Sequence, residues 1–148
     1  MLISQVLGKK VFTVPAKASI SELAKRLAHY DVGALLVTGD SDEIVGIVSE
    51  RDVVRAMATT RGLGDQMVET IMTAEVEYLM PGAQLDSVFE VFTVRGYRHA
   101  PVKDETGEVI GVLSIRDLVA ARMEELEDER SALIDYVQQA PLTGPPSR

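Results

Sequence analysis

Cysteine and tryptophan do not occur in this 148-residue sequence, and histidine occurs only twice. Without cysteine there is no disulfide framework, no thiolate zinc site and no cysteine nucleophile, a composition compatible with a reducing compartment. No run approaches the ~18–20 apolar residues of a membrane span. The opening MLISQVLGKKVF lacks a basic segment followed by a long apolar stretch, so no signal peptide is expected and a cytoplasmic location is. Positive charge is scarce: 15 Lys and Arg stand against 23 Asp and Glu, a net charge of −8. Such a chain repels phosphate backbones, and no nucleic-acid partner is expected. What is present is 46% apolar and 26% charged residues, with a mean hydropathy of +0.08. That describes a globular chain able to bury a core as one compact domain, or as two small ones sharing it.

The chain repeats itself. GIVSERDVV, residues 46–54, matches GVLSIRDLV, residues 111–119, without a gap. Gly, Ser, Arg, Asp and the final Val are identical, and three of the remaining four positions exchange one aliphatic residue for another. The same offset carries Val37 onto Val102 and Glu43 onto Glu108, whereas Val14-Pro15 corresponds to Met80-Pro81 one residue further on. One residue is therefore expected to be missing from the intervening helix of the second copy. Self-similarity on this scale marks one supersecondary unit used twice.

Each copy reads as β-α-β-β-α. In the first, Val11–Val14 is a short strand closed by Pro15, whose ring removes a donor. Ile20, Leu23, Ala24, Leu27 and Ala28 fall at helical spacing, with Ser19 or Ser21 as N-cap. Residues 34–37 and 44–48 form a hairpin across the turn 38–42, and a helix follows from Ser49–Asp52 to about Ala58. In the second copy the helix carries Leu85, Val88, Phe89 and Phe92, and the hairpin strands span 100–103 and 109–113. A short amphipathic helix is expected around Met67, Ile71 and Met72. Residues 1–62 and 63–122 are read as the two domains, 123–140 as an acidic helix and 141–148 as a loose tail. In that helix Val119, Met123, Leu126, Leu133 and Val137 repeat like a coiled-coil seam with Arg130 in the missing slot. The seam packs either on its own domain or on a second subunit.

The doubled strand–Gly-x-x-Ser-x-Arg-Asp–helix block is the candidate site. Ser followed three residues later by Asp before an apolar helix is a variant of the capping box, and a cap alone would explain it. Arg51 and Arg116, however, are not needed for a cap. A helix N-terminus with free N–H groups attracts anions, Ser adds a small donor and acceptor, and Asp can accept both hydroxyls of a vicinal diol. Hydroxyl, carboxylate, guanidinium and helix terminus together suit a ribose phosphate. Arg98-His99, before the strand Ala100-Pro101-Val102, adds cationic side chains at a position where the first copy has only Gly33-Ala34. His29 has no neighbouring His, Cys or carboxylate at metal-ligand spacing, so no metal site is expected. Walker, Gly-x-Gly-x-x-Gly and Gly-x-Ser-x-Gly motifs are absent, and no base stands beside Ser49 or Ser114 in sequence to activate it. Nothing in the sequence supports catalysis.

Gly46, Ser49 and Asp52, repeated as Gly111, Ser114 and Asp117, resemble the motif of tandem cystathionine-β-synthase (CBS) domains, a Bateman module. Val14-Pro15, Ile71-Met72-Thr73 and Ala100-Pro101-Val102 also fit, so the resemblance covers roughly residues 1–122. With its closing helix the chain is also similar to stand-alone bacterial CBS-pair proteins described as signal-transduction proteins. The resemblance implies an α+β fold of two β-α-β-β-α repeats related by a pseudo-two-fold axis, with a C-terminal helix appended. It implies two clefts for adenine nucleotides, AMP first and ATP, ADP or NAD(H) as alternatives. One cleft is expected to combine Ser114, Arg116 and Asp117 with Thr13, Ala18, Gly33, Ala34 and Leu35, while Arg98 and His99 reach toward the phosphates. The other is expected to use Ser49, Arg51 and Asp52 with Arg98, His99, Ala100 and Pro101. Leu79 stands there in place of Thr13, so the Asp117 cleft is expected to be the more complete one for AMP. The Asp52 cleft is expected to be empty or to take a larger ligand such as ATP or a dinucleotide.

The function that follows is a non-catalytic sensor, a homodimer whose nucleotide occupancy is read by an effector protein the sequence does not name. The alternative is a structural dimerisation module whose motifs are only helix caps. An enzyme acting on ATP or NAD is the third and least supported reading.

Overall fold

The computed structural model describes residues 1–8 and 11–139; the proposed tail, 141–148, lies outside them. The fold is mixed α and β, with two small sheets and four α-helices among the described residues. In the first copy β1 (Thr13–Pro15) leads through α1 (Ile20–Tyr30) to β2 (Ala34–Thr38) and β3 (Ile44–Ser49), and α2 (Glu50–Met57) follows. β1 pairs parallel to β2, and β2 antiparallel to β3. In the second copy α3 (Leu85–Arg95) precedes the antiparallel hairpin β4 (His99–Lys103) and β5 (Val109–Ser114), and α4 (Ile115–Gln139) closes the chain. Leu79 makes the parallel bridge to Val102 that β1 makes to β2 in the first copy. Both hairpins break register at the same place, between Val37 and Thr38 and between Val102 and Lys103. The duplication is therefore structural down to an irregularity.

Local sequence explains the elements. Ser19 caps α1 by accepting the Glu22 amide at 3.1 Å, which selects it over Ser21. α1 buries Ile20, Leu23 and Leu27, while Ala24 and Ala28 are exposed. Asp31 (φ 53°) ends α1 and Gly96 (φ 68°) ends α3 in the left-handed conformation, a usual way to satisfy the last carbonyls. Both α1 and α3 have 11 residues. The missing residue thus falls between Pro81 and Leu85, in the loop before the helix rather than within it. The expected helix around Met67 is a 3-10 turn, Val68–Thr70. Its backbone is committed outward, Val68 N–H donating to Ala18 O at 2.9 Å and Glu69 N–H to Ala16 O at 3.0 Å, so it does not continue as an α-helix.

The two copies exchange their leading segments. Ile3, near the start of the chain, is fully buried among Leu85, Val88, Phe92, Val102, Leu113 and Leu118 of the second copy. Val68, at the head of the second copy, is fully buried among Val14, Leu23, Leu35, Val37 and Val48 of the first. Most buried apolar residues gather in two clusters, one centred on each copy, while Leu36, fully buried on the face of β2 opposite Leu35 and Val37, belongs to neither.

The motif glycines permit the exchange. Thr73 bridges Ile47 by two backbone hydrogen bonds, of 3.0 and 2.9 Å, and so crosses β3 at Gly46. A Cβ on Gly46 would stand 2.9 Å from the Thr73 carbonyl oxygen and 2.6 Å from Met72 Sδ. On Gly111 it would stand 2.9 Å from the Gly8 carbonyl oxygen and 2.7 Å from Leu7 Cγ. The motif glycine is thus a crossing point. α4 runs unbroken through the boundary expected at residue 123. Its last buried residue is Ala121, and the apolar positions beyond it, Met123, Leu126, Leu133 and Val137, are exposed.

Gly46→Ala is expected to destabilise the protein by ~1–3 kcal/mol, the usual cost of forcing an extra group into a packed contact. Urea denaturation of the variant against the parent checks this, and an unchanged midpoint would contradict the crossing-point role.

Candidate functional site

Two clefts open between the copies, of about 430 and 390 Å³. The hairpin register places the motif at each. Ser49 pairs with Ala34 and Ser114 with His99, at the end of each hairpin where the following helix begins. Ile47 and Val112, the residues just after the motif glycines, line the two cleft walls in equivalent positions.

The larger cleft is lined by Ser49, Arg51, Asp52, Arg98, His99, Ala100 and Pro101, all seven of the residues expected there. It also contains Arg55, Thr73, Glu75, Val76, Glu77 and Tyr97, which the sequence reading missed. Arg55 is one turn beyond Arg51 on α2, a spacing that could have signalled it. Glu75–Glu77 could not be found this way, because the segment arrives by the exchange of leading segments. Glu77 is held by Arg95 at 2.7 Å and by the Tyr97 hydroxyl. The Tyr97 hydrogen bond, aided by the Arg95 charge, draws the carboxyl below its usual range.

The other cleft gathers Gly33, Ala34, Arg98, His99, Ser114, Arg116 and Asp117 as expected. Thr13, Ala18 and Leu35 do not line it. Successive strand residues point to opposite faces. With Leu35 and Val37 fully buried in the first copy's core, Ala34 is left to face the cleft. Thr13 uses its carbonyl to accept Arg26 at 2.8 Å, and Ala18 packs on the core while its carbonyl receives Val68. Phe12, stacked on Tyr30 with ring centroids 4.1 Å apart, forms part of the wall instead. Asp31, Val32, Glu50 and Ile115 were also missed. Since neither Thr13 nor Leu79 reaches a cleft wall, that exchange is not what makes the clefts differ.

The difference lies in the caps and in the axis. Ser49 and Asp52 form a full capping box: Ser49 N–H donates to Asp52 Oδ2 at 2.8 Å, and Asp52 N–H donates to Ser49 Oγ at 3.3 Å. The Ser49 hydroxyl is a further 3.1 Å from that same oxygen. In the second copy Asp117 N–H donates to Ser114 Oγ at 3.1 Å. Among the described residues no group donates to the Asp117 carboxylate, which is exposed. The Asp117 carboxylate is thus open to a diol, while one oxygen of Asp52 is engaged in the cap.

Arg98, His99 and Ala34 border both clefts. His99 crosses to the other copy, and its ring lies over Gly33: a Cβ there would be 3.0 Å from His99 Nε2. Burial pushes the imidazole below its usual value. Arg98 acts in the same direction, while Glu50, Asp117 and Asp52 oppose it. His29, by contrast, is exposed on α1, and no group of three His, Cys, Asp or Glu suited to a metal ion occurs among the described residues.

Comparison with known proteins fits this geometry. The family model described as "CBS domain" matches residues 3–59 and again residues 68–124. The chain belongs to the CBS domain family. A CBS-domain protein of Burkholderia ambifaria MC40-6 is 36% identical, with a TM-score of 0.78 over 84% of this chain and 95% of its own. A CBS domain protein of Pyrobaculum aerophilum, solved in complex with AMP, is 31% identical, with a TM-score of 0.71 over 79% of this chain and 89% of its own. An uncharacterised 17.7 kDa protein of Acidianus ambivalens is 33% identical over 122 residues, 82% of this chain and 73% of that protein. Against other curated relatives the CBS pair is only part of a longer chain, covering 60% of one archaeal protein and 41% of another.

Because His99 has a lower pKa folded than unfolded, the unfolded chain binds more protons between the two values. Its contribution to stability is complete above the ordinary value of 6.5 and is lost as pH falls through the folded value. Denaturation midpoints are expected to drop less from pH 7.5 to pH 5 in His99→Gln than in the parent. An identical drop would remove His99 as the cause.

Proposed function

We propose that the chain is a non-catalytic regulatory module that binds an adenine nucleotide, AMP foremost, between its two CBS copies. The observation that carries this reading is the open Asp117 carboxylate at the N-terminus of α4, beside Ser114, Arg116, Arg98 and His99. A ribose diol suits the carboxylate. A phosphate suits the guanidinium groups and the free amides of the helix terminus, where the dipole adds to the attraction. Ala34 and Val112 offer an apolar wall for a purine. The AMP complex of the Pyrobaculum relative supports the ligand class. The Asp52 cleft, larger and with Arg51, Arg55 and Arg98 in its wall, suits a polyphosphate such as ATP or ADP, or NAD(H). The net charge of −8 still argues against nucleic acid as a partner. No helix among the described residues is long and apolar enough to cross a membrane, and a cytoplasmic protein is the setting we infer.

The signalling form we propose is a homodimer whose packing changes with occupancy and is read by an effector. The exposed seam of α4 supports it. Val119, Met123, Leu126, Leu133 and Val137 leave their apolar faces in water, and a second copy of the same helix is the simplest cover. A second reading, a structural dimerisation module without a nucleotide, is favoured by the complete capping box at Ser49 and Asp52, which accounts for those two residues with no ligand.

Isothermal titration of the purified protein with AMP separates the two readings. Binding below about millimolar is expected, and Asp117→Ala should weaken it ~10–100-fold, as loss of a charged hydrogen-bond pair does. Absence of binding by AMP, ADP, ATP, NAD and S-adenosylmethionine would leave the structural reading. For the dimer, Leu126→Glu with Leu133→Glu should halve the mass seen in light scattering, and an unchanged mass would exclude the α4 seam.

A further inference from the structure

We propose that Arg98 and His99 form a partition shared by the two clefts, so that a phosphate-bearing ligand in one weakens the binding of a second such ligand in the other. This inference rests on the nucleotide-binding reading above and adds to it a coupling between the clefts.

The argument starts from the axis between the copies. The backbone there is symmetric: Glu50 N–H donates to Gly33 O at 2.9 Å, and Ile115 N–H donates to Arg98 O at 2.7 Å. The side chains are not. The first copy supplies Gly33 and Ala34, which have almost none, and the second supplies Arg98 and His99 at the equivalent positions. The space that a side chain at Gly33 would fill is taken by the His99 ring from the other copy. A symmetric pair would give each cleft its own axial cation. Here both clefts are bordered by the same guanidinium and the same imidazole.

The consequence is electrostatic. Arg98 is exposed and in no ion pair among the described residues, so it can turn to either side. A guanidinium binds phosphate by a planar, bidentate fork, and one fork serves one phosphate at a time. The acidic groups in the two clefts, Asp31, Glu50 and Asp117 on one side and Asp52, Glu75 and Glu77 on the other, do not replace it. Arg51 and Arg116 remain with their own clefts. The first phosphate therefore takes the shared cation, and the second anion meets a cleft without it, across a thin wall from a like charge. A neutral ligand such as adenosine places no charge at the partition and is not subject to this penalty.

The test uses steric blocks outside the partition. Val76 lines only the Asp52 cleft and Val112 only the Asp117 cleft, so Val76→Trp and Val112→Trp each close one. AMP is titrated calorimetrically into the parent and both blocked proteins, with circular dichroism to check folding. If the clefts are coupled, the cleft that binds second in the parent binds AMP about tenfold more tightly when the first is blocked, a coupling in the usual allosteric range. In Arg98→Gln that gain should disappear, and with adenosine it should be absent in every protein. A second-site affinity unchanged by blocking the first overturns the inference, as does a gain that persists in Arg98→Gln. If a blocked protein fails to fold, the parent alone decides. Two AMP steps spaced no wider than the two adenosine steps overturn the coupling, and a wider AMP spacing supports it. Failure of AMP to bind the parent at all is a different result, and it removes the nucleotide-binding reading itself.

Discussion

Two backbone crossings hold this molecule in its form. Thr73 pairs with Ile47 at Gly46, and the segment Leu7–Gly8 passes over Gly111. At both points the approach leaves no room for a Cβ. Because the strands can be crossed there, each leading segment reaches the opposite copy. Ile3 and Val68 then complete cores they do not belong to by sequence order. Neither β-α-β-β-α unit encloses its interior unaided, and small units of this size seldom supply enough core alone. The clefts depend on the same contacts, since Thr73 and the residues after it form a wall of the larger one.

The repeat, the order of elements and both copies of the motif were legible from the sequence, because they reside in local pattern: aliphatic runs, a turn, a Ser and an Asp three apart. The seven residues expected in the Asp52 cleft come from both copies. The hairpin and helix of the first fix Ser49, Arg51 and Asp52, and the start of β4 in the second fixes Arg98 to Pro101. Their meeting across the copies followed from the family resemblance rather than from local pattern. The other cleft shows where local pattern stops. Leu35 and Ala34 are neighbours of similar chemistry in an apolar strand, and only the side on which the core packs decides which faces the cleft. Glu75 and Glu77 reach the larger cleft through the exchange of leading segments, a long-range fact with no local signature, whereas Tyr97 stands directly before Arg98 and could have been found from that neighbour. The missing residue of the second copy was misplaced by similar reasoning. An alignment offset says that a residue is gone between Pro81 and the hairpin, but the helix keeps its 11 residues and the loop absorbs the loss.

The two clefts are copies that have ceased to be equivalent. Their frames agree to the level of a shared register break, while their functional groups differ in cap, wall and axis. A complete capping box ties Asp52 to Ser49, and among the described residues no donor occupies the Asp117 carboxylate. Duplication supplies two similar sites, and a few substitutions at the axis, Gly33-Ala34 against Arg98-His99, make them neighbours with different interests. Fold and site overlap here, since the Ser and Asp at each cleft also cap the helix that follows, Ser49 with Asp52 and Ser114 with the Asp117 amide.

The unbroken course of α4 has a mechanical side. Its first turn carries Arg116 and Asp117 into the smaller cleft, and it continues to Gln139 without a proline or glycine. Twenty-five residues at the rise of an α-helix make a rod ~37 Å long. A tilt of about 5° at the cleft end would carry the far end of such a rod through ~3 Å, roughly the scale on which helix interfaces repack. On the nucleotide-binding reading proposed above, a ligand in the cleft would meet the first turn, and the far end of the rod would carry any tilt outside the domain.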